Sequence, residues 1–163
     1  MVPEQTSAQS QLPLSVKAVI AFLVIALLLI VGMQVVSVVN FELALSLGLQ
    51  EDDPNSLDPF IRGHAILEQG IAGADVIIQG LLLIGAIVGL LQRRAFGYAC
   101  ALGELGISIY WPTFDIFQES LLVSRGLMEG LDVSTVVFET VYIALSLVAA
   151  LVLYRHRRLF LAQ

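Results

Sequence analysis

The stretch VKAVIAFLVIALLLIVGMQVVSVV, residues 16–39, decides the fold. Its only charge is Lys17 at the start, and Ala18 to Met33 carry no polar side chain. At about 1.5 Å per residue such a stretch matches a hydrocarbon core of about 30 Å. Lipid offers the backbone no hydrogen-bond partners, so a crossing segment satisfies its own N–H and C=O groups by forming a helix. A cleaved signal peptide is the competing reading. Its basic region would be Lys17 alone, the apolar run is too long, and no small-x-small site follows cleanly. The segment is expected to be a retained first helix.

Further apolar blocks follow at residues 73–91, 95–111 and 133–154. The blocks are roughly 18–24 residues long, enough to cross a bilayer. The chain is 58% hydrophobic and 13% charged, whereas soluble domains average about 25% charged residues. The expected fold is all-α: a polytopic membrane protein whose spans 16–39, 73–91, 95–111 and 133–154 form an antiparallel four-helix transmembrane bundle. One membrane domain, residues 16–158, lies between a disordered tail at 1–15 and a short tail at 159–163. The loops at 40–72 and 112–132 build a small extracytoplasmic cap.

Local signals mark several boundaries. Asp58-Pro59 is a helix start, because Asp accepts from free N–H groups and proline at the first position loses no bond. A helix from Pro59 to about Leu91 follows, with Gly63, Gly70, Gly73 and Gly80 as places where it can kink or break. Pro112 disfavours helix in the residue before it, so the third span is expected to stop at Trp111. Phe114, Phe117 and Leu121 then recur at helical spacing, which predicts an amphipathic helix at the interface. Asp132 is a good cap for the fourth span.

Charge sets the orientation. Lys17, Arg93, Arg94, Arg155, Arg157 and Arg158 adjoin span ends on one side, and only Arg62 and Arg125 fall on the other. Positive residues remain cytoplasmic, so both termini are placed inside a plasma membrane. Tyr98, Tyr110, Trp111 and Tyr154 sit near span ends, as interfacial aromatics do. The first outer loop is acidic, with Glu42, Glu51, Asp52, Asp53, Asp58 and Glu68.

Polar groups inside the spans are the candidate functional residues, because an unpaired ionised group in hydrocarbon costs several kcal/mol. Glu104 and Glu139 are the intramembrane carboxylates without a basic residue at matching depth. Ser108 lies one turn from Glu104 and Tyr142 one turn from Glu139, so adjacent third and fourth spans would let Glu104, Ser108, Tyr142 and Glu139 share hydrogen bonds. Such a set is either interhelical glue or a proton or cation site. His64, Glu68, Asp75 and Gln79 fall within about 60° on the second helix. His64 and Glu68 at i,i+4 either form a solvated pair or share a metal, with Asp52 or Asp53 folding back to help. Gly85 and Gly89 permit close helix packing, within the chain or between copies.

Other chemistry is excluded. Cys100 is the single cysteine, so there is no intrachain disulfide and no CxxC pair. His64 and His156 lie at opposite sides and cannot hold one haem. No phosphate loop, serine–histidine pair or HExxH helix is present. No cofactor, no catalytic residue, no enzymatic activity and no nucleic-acid binding are expected. The expected partners are the lipid bilayer and another membrane protein or a second copy of the chain. The expected function is an accessory, scaffold or assembly subunit acting through helix and cap contacts. The alternatives are a proton- or cation-linked transporter or channel, and an extracytoplasmic metal or ligand sensor.

Overall fold

The structure is a computed structural model and describes residues 11–50, 54–127 and 130–162. The described residues are helices joined by short turns and loops, with no strand among them. Helix α1 covers Leu14–Val39. Val16, Val19, Ile20, Leu23 and Ala26 make its buried stripe at helical spacing. A π-helical turn at Leu27–Val31 then adds residues to one turn, and the buried positions shift to Val31 and Ser37. The disordered tail expected at 1–15 lies mostly outside the described residues, and α1 starts at Leu14, inside that expected tail.

The connection at 40–72 is not the plain loop expected. It opens with a short helix, α2, Phe41–Ser46, which buries Phe41 and Ala44. Asn40 caps it by accepting from the Leu43 N–H at 3.0 Å. Gly48, at φ 68°, ends it in the left-handed conformation.

Helix α3, Pro59–Leu91, runs for 33 residues, and its internal glycines do not break it. Asp58 accepts from the Phe60 N–H at 2.8 Å, and Pro59 occupies the first turn. Ala65, Ala72, Gln79, Leu83, Ala86 and Leu90 form one buried stripe. The helix is about 50 Å long, so part of it extends beyond a core of about 30 Å. Its end is a Schellman turn. The Arg94 N–H reaches the Gly89 carbonyl at 2.7 Å and the Arg93 N–H reaches Leu90 at 3.1 Å. Arg93 sits at φ 59°, a conformation that favours glycine.

Helix α4 spans Ala95–Ser124 and corrects the expected stop at Trp111. Pro112 lies inside it. Proline lacks the N–H that would reach the Ser108 carbonyl one turn back, so the helix continues with one backbone bond fewer. Thr113 Oγ1 donates to the Ile109 carbonyl at 2.6 Å, one residue past the proline. The separate interfacial helix expected after Pro112 is therefore the continuation of α4, which ends at Gly126 with φ 70°.

Helix α5 is Val133–Arg155, and a last turn, α6, is Arg158–Leu161. Residues 159–161 of the expected tail at 159–163 thus fold back. Phe160 is fully buried and stacks on Tyr98, with ring centroids 5.8 Å apart. Tyr98 is accordingly a core residue and not an exposed interfacial one. Burial of Phe160, with Leu159 partly packed against the core, accounts for this return.

Three helices, α1, α3 and α5, are long and apolar enough to cross a membrane. Helix α4 is long enough, but Glu104, Tyr98, Tyr110, Trp111 and Pro112 dilute its apolar content. Outward-facing Leu28, Ile77, Leu81, Val148 and Leu151 are all more than half exposed. A surface this apolar is tolerated in lipid and not in water.

Candidate functional site

Helices α3, α4 and α5 converge on a buried polar cluster. Glu104 is fully buried, and Ser108 is nearly so. The Ser108 hydroxyl donates to Glu104 Oε1 over a long 3.5 Å. Ser108 and the Tyr142 hydroxyl are 2.9 Å apart, a well-formed bond between α4 and α5. One direction satisfies both contacts: Tyr142 donates to Ser108, and Ser108 donates to Glu104. Glu104 Oε2 has no partner. Asp75 of α3 lies within electrostatic reach of Glu104.

The i,i+4 spacing accounts for the Glu104–Ser108 contact, and the adjacency of α4 and α5 accounts for Tyr142. Glu139 does not join them. Because α4 continues past Pro112, Asp115 and Glu119 stand within electrostatic reach of Glu139. Glu139 is buried, and its Oε2 has no partner. The four-residue set expected from sequence is therefore two groups: Glu104, Ser108 and Tyr142 in one, Glu139 with Asp115 and Glu119 in the other. Ser146 Oγ on α5 is also buried without a partner.

The α3 stripe is arranged as two local pairs. Gln79 Nε2 donates to Asp75 Oδ1 at 3.0 Å. His64 Nδ1 lies 3.6 Å from Glu68 Oε1, and Phe60 stacks on the His64 ring with an interplanar angle of 6°. No group of three metal-ligating side chains occurs among the described residues. Asp52 and Asp53, the helpers expected for His64 and Glu68, lie outside the described residues.

The glycines serve contacts within the chain. A Cβ built on Gly85 would meet Cys100 Sγ at 3.1 Å. One built on Gly89 would fall 2.3 Å from the Gly97 Cα. Only a pair of glycines allows α3 and α4 to approach so closely beside the Arg93 turn.

At the start of α5, Asp132 accepts from the Ser134 hydroxyl at 2.8 Å and the Thr135 hydroxyl at 2.7 Å. It also accepts from the Ser134 and Thr135 N–H groups. These bonds, the Ser134 hydroxyl first, hold its carboxyl at about 2, below the ordinary 3.8.

Sequence reasoning missed several contacts. Gln50 Nε2 donates to the buried Ser37 hydroxyl at 3.1 Å, which ties the 40–58 connection to α1. Ser15 and His156 are 3.1 Å apart, joining the start of α1 to the end of α5. No local signal announces either pair, since both are long-range or loop contacts. Asp115 and Glu119 could have been found by continuing the α4 period through Pro112.

No family model, no curated protein and no solved structure matches the chain.

Proposed function

We propose that the chain is a small multi-pass plasma-membrane protein that works as an accessory, scaffold or assembly subunit. Helices α1, α3, α4 and α5 form an antiparallel four-helix bundle in this reading, with α4 as the fourth crossing. The Arg93-Arg94 turn and both termini are cytoplasmic, and the 40–58 and 125–132 connections form an outer cap.

The observation that carries the proposal is the Glu104–Ser108–Tyr142 cluster. It is a hydrogen-bonded knot linking neighbouring helices, with Glu104 fully shielded from solvent. A knot of this kind fixes helix position and leaves the outer apolar faces free for partners. The test is purification in a mild detergent followed by a measurement of particle mass. A stable complex with another membrane protein, or a defined homo-oligomer, is expected; a monodisperse single chain that performs its role alone would contradict the reading.

One observation favours a second reading, transport of protons or cations. Glu104 Oε2, Glu139 Oε2 and Ser146 Oγ are buried acceptor atoms without partners, places for a proton or a water. Glu104→Gln and Glu139→Gln in reconstituted vesicles separate the two. Abolished flux with the fold intact supports transport, whereas unchanged behaviour removes it. The sensor reading rests on His64 and Glu68 alone, and unchanged metal titration of His64→Ala would remove His64 from it.

A further inference from the structure

A lateral groove between α3 and α4 holds Asp75 and Gln79, on the α3 side of the Glu104 cluster. Its volume is about 390 Å³, and it is lined by Asp75, Ile78, Gln79, Gly106, Tyr110 and Trp111, among others. Gly106 is exposed on the α4 side of the groove, and a Cβ built on it meets no atom within 4 Å. Volumes of this order hold small organic ligands, with a few placed polar groups setting orientation.

Three features define what would fit. Asp75 places a half-buried carboxylate in a largely apolar groove, with Gln79 donating to it at 3.0 Å. Among the described residues no cation pairs with Asp75. Tyr110 and Trp111 line the same groove in an edge contact at 5.8 Å, and Phe114 packs against both. A carboxylate beside exposed aromatic rings is complementary to a positive charge, because the ring faces and the carboxylate attract it together. The apolar walls demand that the rest of the ligand be hydrophobic. A neutral lipid tail would fill the walls and leave Asp75 without compensation, at a cost in desolvation.

We propose that this groove binds a small lipophilic cation, an amine or onium compound with an apolar body. Asp75 faces its charge, Tyr110 and Trp111 cover it, and Ile78 with the open space at Gly106 receives the apolar part. The inference goes beyond the accessory reading and does not need it: a scaffold or a transporter equally well carries a ligand groove.

Labelled tetraphenylphosphonium is the probe, measured by equilibrium binding to the full chain in nanodiscs. Saturable binding is expected for the parent chain. Asp75→Asn removes the charge and keeps the shape, and Gly106→Leu fills the space and keeps the charge. Each is expected to weaken binding by about tenfold or more, the loss of one strong contact. Glu42→Gln, an exposed acid on α2, is the control and is expected to bind like the parent. Circular dichroism verifies helicity in each variant, and Gly106→Ala gives a milder filling if Gly106→Leu loses it. Absence of saturable binding by the parent overturns the proposal. So does equal binding by the parent, Asp75→Asn and the folded Gly106 variant, which is the signature of partition into lipid.

Discussion

Gly89 and Gly97 pack backbone against backbone, so that a Cβ added to Gly97 would lie 2.2 Å from the Gly89 carbonyl carbon. The contact sits beside the three-residue turn between α3 and α4 and sets how closely those helices run. Alanine at either site is favoured by intrinsic helix propensity, by about 1 kcal/mol. The steric conflict is larger, because the neighbour is backbone and cannot swing away. Gly97→Ala is expected to destabilise the fold by about 1–3 kcal/mol, the usual cost of overpacking. Unfolding in mixed detergent micelles reads the change, and a stabilised variant would mean the helices do not meet there.

Tyr142 and Ser108 are the hydrogen-bonded bridge between α4 and α5. A double-mutant cycle with Tyr142→Phe and Ser108→Ala is expected to give a coupling energy of about 0.6–2 kcal/mol. Additive effects would show that the hydroxyls do not interact. Glu104→Gln keeps an acceptor for Ser108 and is expected to change stability by less than about 1 kcal/mol. Glu104→Lys buries a cation in the same place and is expected to prevent folding.

Arg93 holds a left-handed conformation that an L side chain adopts at a cost of about 1–2 kcal/mol. Arg93→Gly is expected to relieve about 1 kcal/mol of it in detergent unfolding. The same change deletes a positive charge from the turn, so a weaker bias in topology should accompany the gain. A loss of stability would mean that contacts of the arginine side chain outweigh the backbone strain.

The Asp132 cap carries a pH dependence with a definite sign. Its folded-state value, about 2, lies below the ordinary 3.8, so the charged form is the one the fold prefers. The contribution is fully present above the ordinary value and is lost as pH falls toward 2. Fraying at the start of α5, followed by amide exchange at Ser134 and Thr135, should increase through that window. Asp132→Asn still accepts hydrogen bonds but does not titrate, and its exchange should lack that increase. Identical acid profiles for the two chains would remove the cap as the cause.

Phe160 shows what the fold gains from its last turn. Phe160→Ala removes a fully buried ring and its stacking on Tyr98, at an expected cost of about 3 kcal/mol. An unchanged midpoint would return residues 159–162 to the status of a tail.

The sequence was most legible where one local force dominates. The apolar stretch at 16–39 and the Asp58-Pro59 start needed only hydropathy and capping, and both helices begin within a few residues of those signals. Asp132 was legible for the same reason, since its acceptor atoms and the free N–H groups are neighbours in sequence. Pro112 misled because the local rule is about a lost bond, whereas the packing of α4 on its neighbours outweighs that loss. The α4 stop signal was in fact present at Gly126, whose left-handed conformation ends the helix. The candidate site was half legible. Ser108 follows from periodicity, and Tyr142 from equal depth on the next helix. Glu139 was assigned to the wrong neighbours, because the stop expected at Trp111 removed Asp115 and Glu119 from view. The π-helical turn at Leu27–Val31 has no sequence signal that we can name.

The central claim is that α4 crosses the bilayer, although it is the least apolar of the long helices, and leaves the Arg93-Arg94 turn inside. Cysteine labelling tests it most directly. In a Cys100→Ala background, single cysteines replace Asn55, Gln92 or Leu131, and intact cells meet a membrane-impermeant maleimide. Labelling is predicted at positions 55 and 131, with position 92 reacting only after permeabilisation. If positions 92 and 131 label alike in intact cells, α4 does not cross, and the placing of Glu104 within the membrane fails with it.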